Sequence, residues 1–327
     1  MLITGGSRGL GLVLARQFAA EGAHVAILGR DGAALASAAE ELRAMGADVD
    51  AFTCDITRKD EAERAVQRLI SRWGRIDVLV NNAGTIVSGP FQHTTVEDYE
   101  EAMGVYFWGP LYLMRAAAPH MKRQRGTRRD ASGRRLRGPG GRIINISSIG
   151  GKVAVPHLAP YCSAKFALTG LSEGLHAELA RDGIAVTTVC PGLMRTGSHV
   201  NARFRGHHRR EFAWFALADG LPLTSIDVER AAAQIVEASR SRRARLVITT
   251  QAKALVALDA LLPGVVASTM ALVNRVLLPG PAGAEGNQDR RGFESRPRWM
   301  PSVVTRLADR AAERNNHQRP VAVPKPV

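Results

Sequence analysis

Tyr161 and Lys165 stand four residues apart in the stretch "PYCSAK", and together they could do proton chemistry. Alone, neither suits catalysis near neutrality. A tyrosine keeps its proton to about pH 10 and a lysine to about 10.4. On a helix, residues four apart share a face. The lysine charge can therefore stand near the phenol, favour phenolate and lower the tyrosine pKa. An isolated Y-x-x-x-K is better explained by a packed helix start and a solvated lysine, so the rest of the chain decides.

Reducing a ketone needs a proton on oxygen and a hydride on carbon, and no side chain supplies the hydride. A source is suggested by "TGGSRGLG", which runs from Thr4 to Gly11. The stretch follows an apolar strand and opens a helix over Leu10–Glu21. It holds Gly5, Ser7, Arg8, Gly9, Leu10 and Gly11. Glycines let the backbone turn tightly against a pyrophosphate, and the helix start offers free N–H groups and a favourable dipole. The second strand ends "AILGRD". Arg30 at its tip and Arg8 in the turn suit a 2′-phosphate, which favours NADP(H). Asp31 keeps NAD(H) open, because an acid near that position binds a ribose 2′-hydroxyl.

Strands are expected at Leu2–Thr4, Val25–Leu28, Val49–Thr53, Ile76–Val80, Arg142–Ser147, Ala185–Val189 and Leu246–Ile248. Helical patterns over Ala33–Met45, Lys59–Trp73, Val96–Met121 and Tyr161–Arg181 separate them. This alternation implies an α/β fold, a doubly wound parallel sheet covered by helices on both faces. Its short Val/Ile/Leu runs fit strands buried on both sides.

Six motifs occur in order: "TGGSRGLG" (4–11), "CD" (54–55), "NNAG" (81–84), "NISS" (145–148), "YCSAK" (161–165) and "PGLMRT" (191–196). With them the chain resembles the short-chain dehydrogenase/reductase family from Leu2 to about Ile248. The resemblance implies a Rossmann-like domain of seven parallel strands and hydride transfer between a nicotinamide cofactor and an alcohol/carbonyl pair. It makes Tyr161 the acid/base and Lys165 its partner, also able to bind ribose hydroxyls. Ser148, with Ser147 as the alternative, would hold the substrate oxygen. Asp55 would meet the adenine, and Asn82 the adenosine side, within a cofactor-binding run that includes Ala83 and Gly84. Pro191, Gly192 and Thr196 would border the nicotinamide. A dimer or tetramer of identical chains is usual in the family.

Two departures stand out. Where the family usually carries an asparagine, "VYFWG" places Tyr106. The expectations are a harmless variant, a narrowed cleft or a changed proton path. Only Met1–Ile3 precede Thr4, which points to a chain start upstream of Met1. If Tyr106 weakens catalysis, the alternative function is a dinucleotide-binding sensor or scaffold.

Three segments fall outside the βα repeat. Residues 125–141 read as a basic inserted loop. Between Lys122 and Arg142 lie nine basic residues and one acid, more than half of the excess behind the net charge of +14. A coding bias toward GC-rich DNA explains the arginines better than nucleic-acid binding, because no aromatics interleave them. Residues 251–279 form an apolar helical extension broken at Pro263-Gly264. Its halves are short for a bilayer, but it could lie in a membrane interface with Arg240, Arg242, Arg243 and Arg245 near headgroups. Packing on the domain or a subunit contact is the competing expectation. Residues 280–327 read as a disordered basic tail, with one short helix conceivable over Pro301–Glu313.

The substrate lid is placed at 193–225, within a catalytic domain of residues 1–250. Phe212, Trp214, Phe215 and Leu217 form either an apolar mouth or the packed face of one helix. The lid and the apolar segment together suggest an apolar, lipid-like ketone or alcohol. His207 and His208 lack metal-ligand spacing, so no metal is expected. Three cysteines without such spacing fit a reduced cytoplasmic setting, with peripheral membrane contact left open.

Overall fold

Alternate residues of the central strands point to opposite sides of one sheet, as a period of two requires. The computed structural model describes residues 1–125, 128–129, 135–136, 140–220, 225–297, 299–300 and 302–317. Seven strands build the sheet: β1 (Leu2–Thr4), β2 (Val25–Gly29), β3 (Val49–Thr53), β4 (Val78–Asn81), β5 (Arg142–Ile146), β6 (Ala185–Pro191) and β7 (Arg245–Ile248). Their order is β7-β6-β5-β4-β1-β2-β3, and every pairing is parallel. Ile3, Val25, Ile27, Val80 and Ile144 bury toward α1 (Gly9–Ala20), α2 (Gly32–Ala44) and α8 (Val228–Arg240). Leu2, Ala26, Leu28, Leu79 and Ile143 bury toward α3 (Lys59–Trp73), α5 (Gly109–Gln124) and α6 (Ala159–Ala180).

The strand order reverses between β1 and β4. At such a switch point the loops leaving the carboxyl ends diverge and open a crevice, where this class of sheet binds ligands. The glycine turn leaves β1 there, and Asn82–Gly84 leave β4.

The expected helix over Val96–Met121 is interrupted. It runs as α4 (Val96–Met103), a π-helical turn at Gly104–Trp108 and then α5. Tyr106 sits in the middle of that turn. Residues 125–141 and the nucleic-acid reading built on them fall largely outside the described residues.

The tail departs from the expectation of disorder over 280–317. Arg290–Arg291 pair antiparallel with Arg203–Phe204, which pair in turn with Val87–Ser88. A tail helix, Ser302–Arg314, packs on α7 (His208–Gly220). Ala308, Ala311 and Ala312 are buried, an i, i+3, i+4 stripe of small side chains that lets the two helices approach. Arg203 reaches Asp289 at 3.2 Å, so tail charge is paired rather than merely solvated. Composition alone does not reveal such a stripe. Residues 318–327 lie outside the described residues.

Two apolar helices, α9 (Thr250–Leu261) and α10 (Pro263–Val276), meet at a bend of 120°. No single helix among the described residues is long and apolar enough to cross a membrane. Leu261, Val276 and Leu277 are exposed. The nearby arginines are engaged within the chain: Arg240 with Glu21 at 2.5 Å, Arg245 with Glu173 at 2.7 Å, and Arg242 with the Gly183 carbonyl. That leaves the membrane expectation resting on the apolar hairpin.

Gly197 has a φ of 84°, and a Cβ there would run into the Ala312 backbone of the tail helix. Gly197→Ala should therefore cost about 1–2 kcal/mol from backbone strain alone, and more from the displaced helix. Urea denaturation should report the loss, and limited proteolysis should show faster cutting within residues 302–317. Unchanged stability and unchanged cutting would mean that the helix does not dock on Gly197.

Candidate active site

The crevice is built first by two loops that clasp each other. The Thr4 hydroxyl accepts from the backbone N–H groups of Asn82 and Ala83, both at 2.8 Å. The Asn82 amide donates back to the Thr4 carbonyl at 3.0 Å and to the Gly5 carbonyl at 3.3 Å. Asn82 and Ala83 thus fix the shape of the glycine turn. A Cβ on Gly11 would collide with the Gly5 carbonyl, so the tight approach of helix to turn needs glycine there. Ser7, Arg8, Gly9 and Leu10 complete the turn at the start of α1. This shape, with the amide groups of α1 facing it, fits a dinucleotide pyrophosphate.

The charged residues around the turn divide. Arg8 pairs with Asp31 at 2.8 Å, while its second terminal nitrogen is buried without a hydrogen-bond partner. Asp31 also caps α2 by accepting from the Ala34 N–H at 3.1 Å. Arg30 is exposed. Asp55 follows β3 and accepts from the backbone and hydroxyl of Thr57, at 3.0 and 2.8 Å. Pro191 ends β6 and Gly192 follows it, with the Gly192 N–H donating to the Ile248 carbonyl at 3.1 Å. Thr196 is buried, and its hydroxyl accepts from the Ser198 N–H at 3.2 Å.

At the end of β5 the chain brings Ser148, Tyr161 and Lys165 together. Ser147 and Ser148 separate clearly. The buried Ser147 hydroxyl bonds Thr169 at 2.7 Å and the Lys165 carbonyl at 3.2 Å, which ties β5 to α6. The half-buried Ser148 hydroxyl accepts from the Gly150 N–H at 3.0 Å and meets the Tyr161 phenol.

Lys165 is 3% exposed. Its ammonium donates to the Ile146 carbonyl at 2.6 Å and lies 3.9 Å from the centre of the Tyr106 ring, against 5.5 Å for Tyr161. The Tyr106 and Tyr161 rings meet edge to face at 5.4 Å. The Tyr106 hydroxyl donates to the Thr85 carbonyl at 2.5 Å and accepts from the Thr85 N–H at 2.9 Å. Tyr106 therefore fills the space beneath the pair and offers the lysine an aromatic face.

This geometry corrects one expectation. Burial pushes the Tyr161 phenol up, and the Ser148 hydrogen bond only partly opposes it. Burial also holds Lys165 down, to about 7. Desolvation disfavours the charged form of each group.

Helix α7, in the segment where a lid is expected, turns Phe212 and Phe215 inward against Phe204, which favours the packed-face reading. Leu217 is partly exposed and Trp214 half-buried. His208 bonds the Ser295 hydroxyl at 3.0 Å, and among the described residues no His/Cys/Asp/Glu group has metal-ligand geometry.

Sequence reasoning missed three features. The fully buried Glu211 gathers His157 at 2.8 Å, Trp214 at 2.9 Å and Ser88 at 3.3 Å, linking the lid to the loop before α6. Nothing in the local sequence marks that cluster. The ring of Tyr106 was visible as a substitution, but not as a partner of Lys165. The third is the seat of Asn315–His317 against the glycine turn, where the Gly9 N–H donates to the Asn315 carbonyl at 2.8 Å.

A family model described as short chain dehydrogenase matches residues 1–205. A Streptomyces coelicolor protein named "Putative ketoacyl reductase" is 36% identical over 202 residues, 62% of this chain and 73% of that protein. A sorbitol dehydrogenase of Cereibacter sphaeroides is 35% identical over 221 residues, covering 64% and 79%. The crystal structure of L-sorbose reductase from Gluconobacter frateurii, complexed with NADPH and L-sorbose, superposes with a TM-score of 0.64 at 25% identity, covering 76% and 93%.

The depressed Lys165 pKa gives a pH signature. Between about 7 and the ordinary 10.5 the unfolded chain binds a proton that the folded chain does not. This group's contribution to stability therefore rises with pH through that window. Urea midpoints of the native protein, measured relative to Lys165→Met, should climb from pH 7 to pH 9. A flat difference would show that the lysine is not desolvated as described.

Proposed function

The chain belongs to the short-chain dehydrogenase family and is an oxidoreductase acting on CH–OH groups, and from that premise we propose that it interconverts a ketone and a secondary alcohol with NADP(H). The observation that carries the reading is a buried Lys165 held between the Ile146 carbonyl and the rings of Tyr106 and Tyr161, with Ser148 beside the Tyr161 phenol. A bound nicotinamide would exchange hydride with the carbonyl carbon. The Ser148 hydroxyl donates to the carbonyl oxygen and holds it at the phenol. Tyr161, kept protonated by its burial, gives its proton to that oxygen in the reductive direction. Lys165, once protonated, stabilises the phenolate left behind. The Tyr106 face keeps the ammonium under the phenol, and this favours an enzyme over the alternative of a weakened sensor or scaffold.

NADP(H) is preferred over NAD(H) because one nitrogen of Arg8 is buried without a partner beside the turn. A 2′-phosphate would supply that partner and compete with Asp31 for the guanidinium. An apolar substrate is supported by a cavity of about 740 Å³ beside the loop leading to Tyr161, with Phe91, Val155, Phe166 and Met270 in its wall. A homo-oligomer in a cytoplasmic setting completes the reading.

Tyr161→Phe should lower kcat for ketone reduction by about 10²–10⁴-fold while NADPH binding stays within a few-fold. Arg8→Ala should weaken NADPH by roughly tenfold, the order of one charge-assisted contact, and leave NADH nearly unchanged. The check is NADPH and NADH titration, then turnover against apolar ketones and a ketose such as L-sorbose. Full turnover by Tyr161→Phe would sink the assignment of the acid. Equal losses of both cofactors in Arg8→Ala would sink the NADP(H) preference.

A further inference from the structure

The glycine turn does not face open solvent. The Gly9 N–H, at the first turn of α1, donates to the Asn315 carbonyl at 2.8 Å. The Asn316 amide donates to the Ser7 carbonyl at 3.2 Å. The His317 imidazole fills the space that a side chain on Gly9 would take. Other contacts hold the segment from its sides. Asn201 donates to the His317 carbonyl at 2.8 Å, and Arg16 donates to the Asn315 side-chain oxygen at 2.8 Å and to the Arg314 carbonyl at 3.0 Å.

We propose that Asn315–His317 form an autoinhibitory strap that occupies the phosphate-binding turn and must leave before a dinucleotide binds. The proposal rests on reading that turn as the dinucleotide site. The argument is steric and electrostatic. A phosphate oxygen within hydrogen-bonding reach of the Gly9 N–H needs the place now held by the Asn315 carbonyl. That carbonyl carries only a partial negative charge, whereas the amino end of α1 favours a full anion. Exchange of peptide for phosphate therefore improves the contact at the turn.

The strap can swing without the tail unfolding. The tail helix is anchored upstream, through its alanine stripe on α7 and through Asp309, which meets Arg296 at 3.2 Å. Release of residues 315–317 breaks the contacts at the turn and leaves that anchor. While the strap is docked, apparent affinity is the intrinsic affinity reduced by the fraction of open molecules. The device sets how much dinucleotide is needed to load the site.

The test uses the full chain and trypsin, since Arg314 immediately precedes the strap. NADPH should accelerate cleavage after Arg314. The full-length double variant Asn316→Ala/His317→Ala should bind NADPH about 3–10-fold tighter, the gain expected when a mostly closed population is opened. It should also be cut faster than the native chain without any dinucleotide. Slower cleavage with NADPH, together with weaker binding by the double variant, would overturn the strap and make the tail a lid over the cofactor. Unchanged cleavage and affinity would overturn it as well. If neither chain binds NADPH or NADH, the dinucleotide reading of the turn itself falls. That outcome differs from the two in which binding is measured and only its direction is wrong.

Discussion

A buried primary amine is the constraint around which this site is arranged. Taking the Lys165 ammonium out of water is costly unless something replaces its hydration. The replacements are the Ile146 carbonyl, which ends β5, and the faces of two tyrosines. Each lies on a different element. β5 must end where it does to leave that carbonyl for the lysine. α6 must carry Tyr161 and Lys165 on one side. The π-helical turn at Gly104–Trp108 widens the helix by an extra residue and carries the Tyr106 ring that lies under the amine. An aromatic ring attracts a cation but accepts no proton, so it steadies the charge without competing for it.

The parallel sheet delivers all of this to one edge. Its reversal between β1 and β4 puts the glycine turn and the Asn82 loop side by side, and β5 and β6 end at the same edge. The two hydrophobic layers on either side of the sheet lock the register, because a slip of one residue would exchange their side chains. The tail is built differently. There, short strands and a small-residue helix pack on α7 and finish on the glycine turn.

Much of this is legible in the sequence, and the exceptions have physical causes. Strand runs such as Val25–Gly29 and the helix Lys59–Trp73 follow from local periodicity, so they are found close to where they are expected. The glycine turn and the four-residue spacing of Tyr161 and Lys165 are local signals too. The direction of the pKa shifts was not legible, because burial depends on residues distant in the chain. Spacing alone shows a lysine charge beside a tyrosine, not the desolvation of both. The Glu211 cluster joins Ser88, His157 and Trp214 across long separations, and periodicity is blind to it. The tail misled for the opposite reason. Its Pro, Gly and Arg content signals solvation, while three alanines at helical spacing are enough to dock it.

The site depends on Lys165 being desolvated and held against Tyr106, and the lysine's own titration reports that state. Lysine side chains labelled with nitrogen-15 and carbon-13 can be followed by NMR in the dinucleotide-free protein, with Lys165→Met to assign the signal. A midpoint lowered by burial to about 7 is expected. A Lys165 midpoint near the unperturbed value of about 10.4 would place the amine in water and contradict the account.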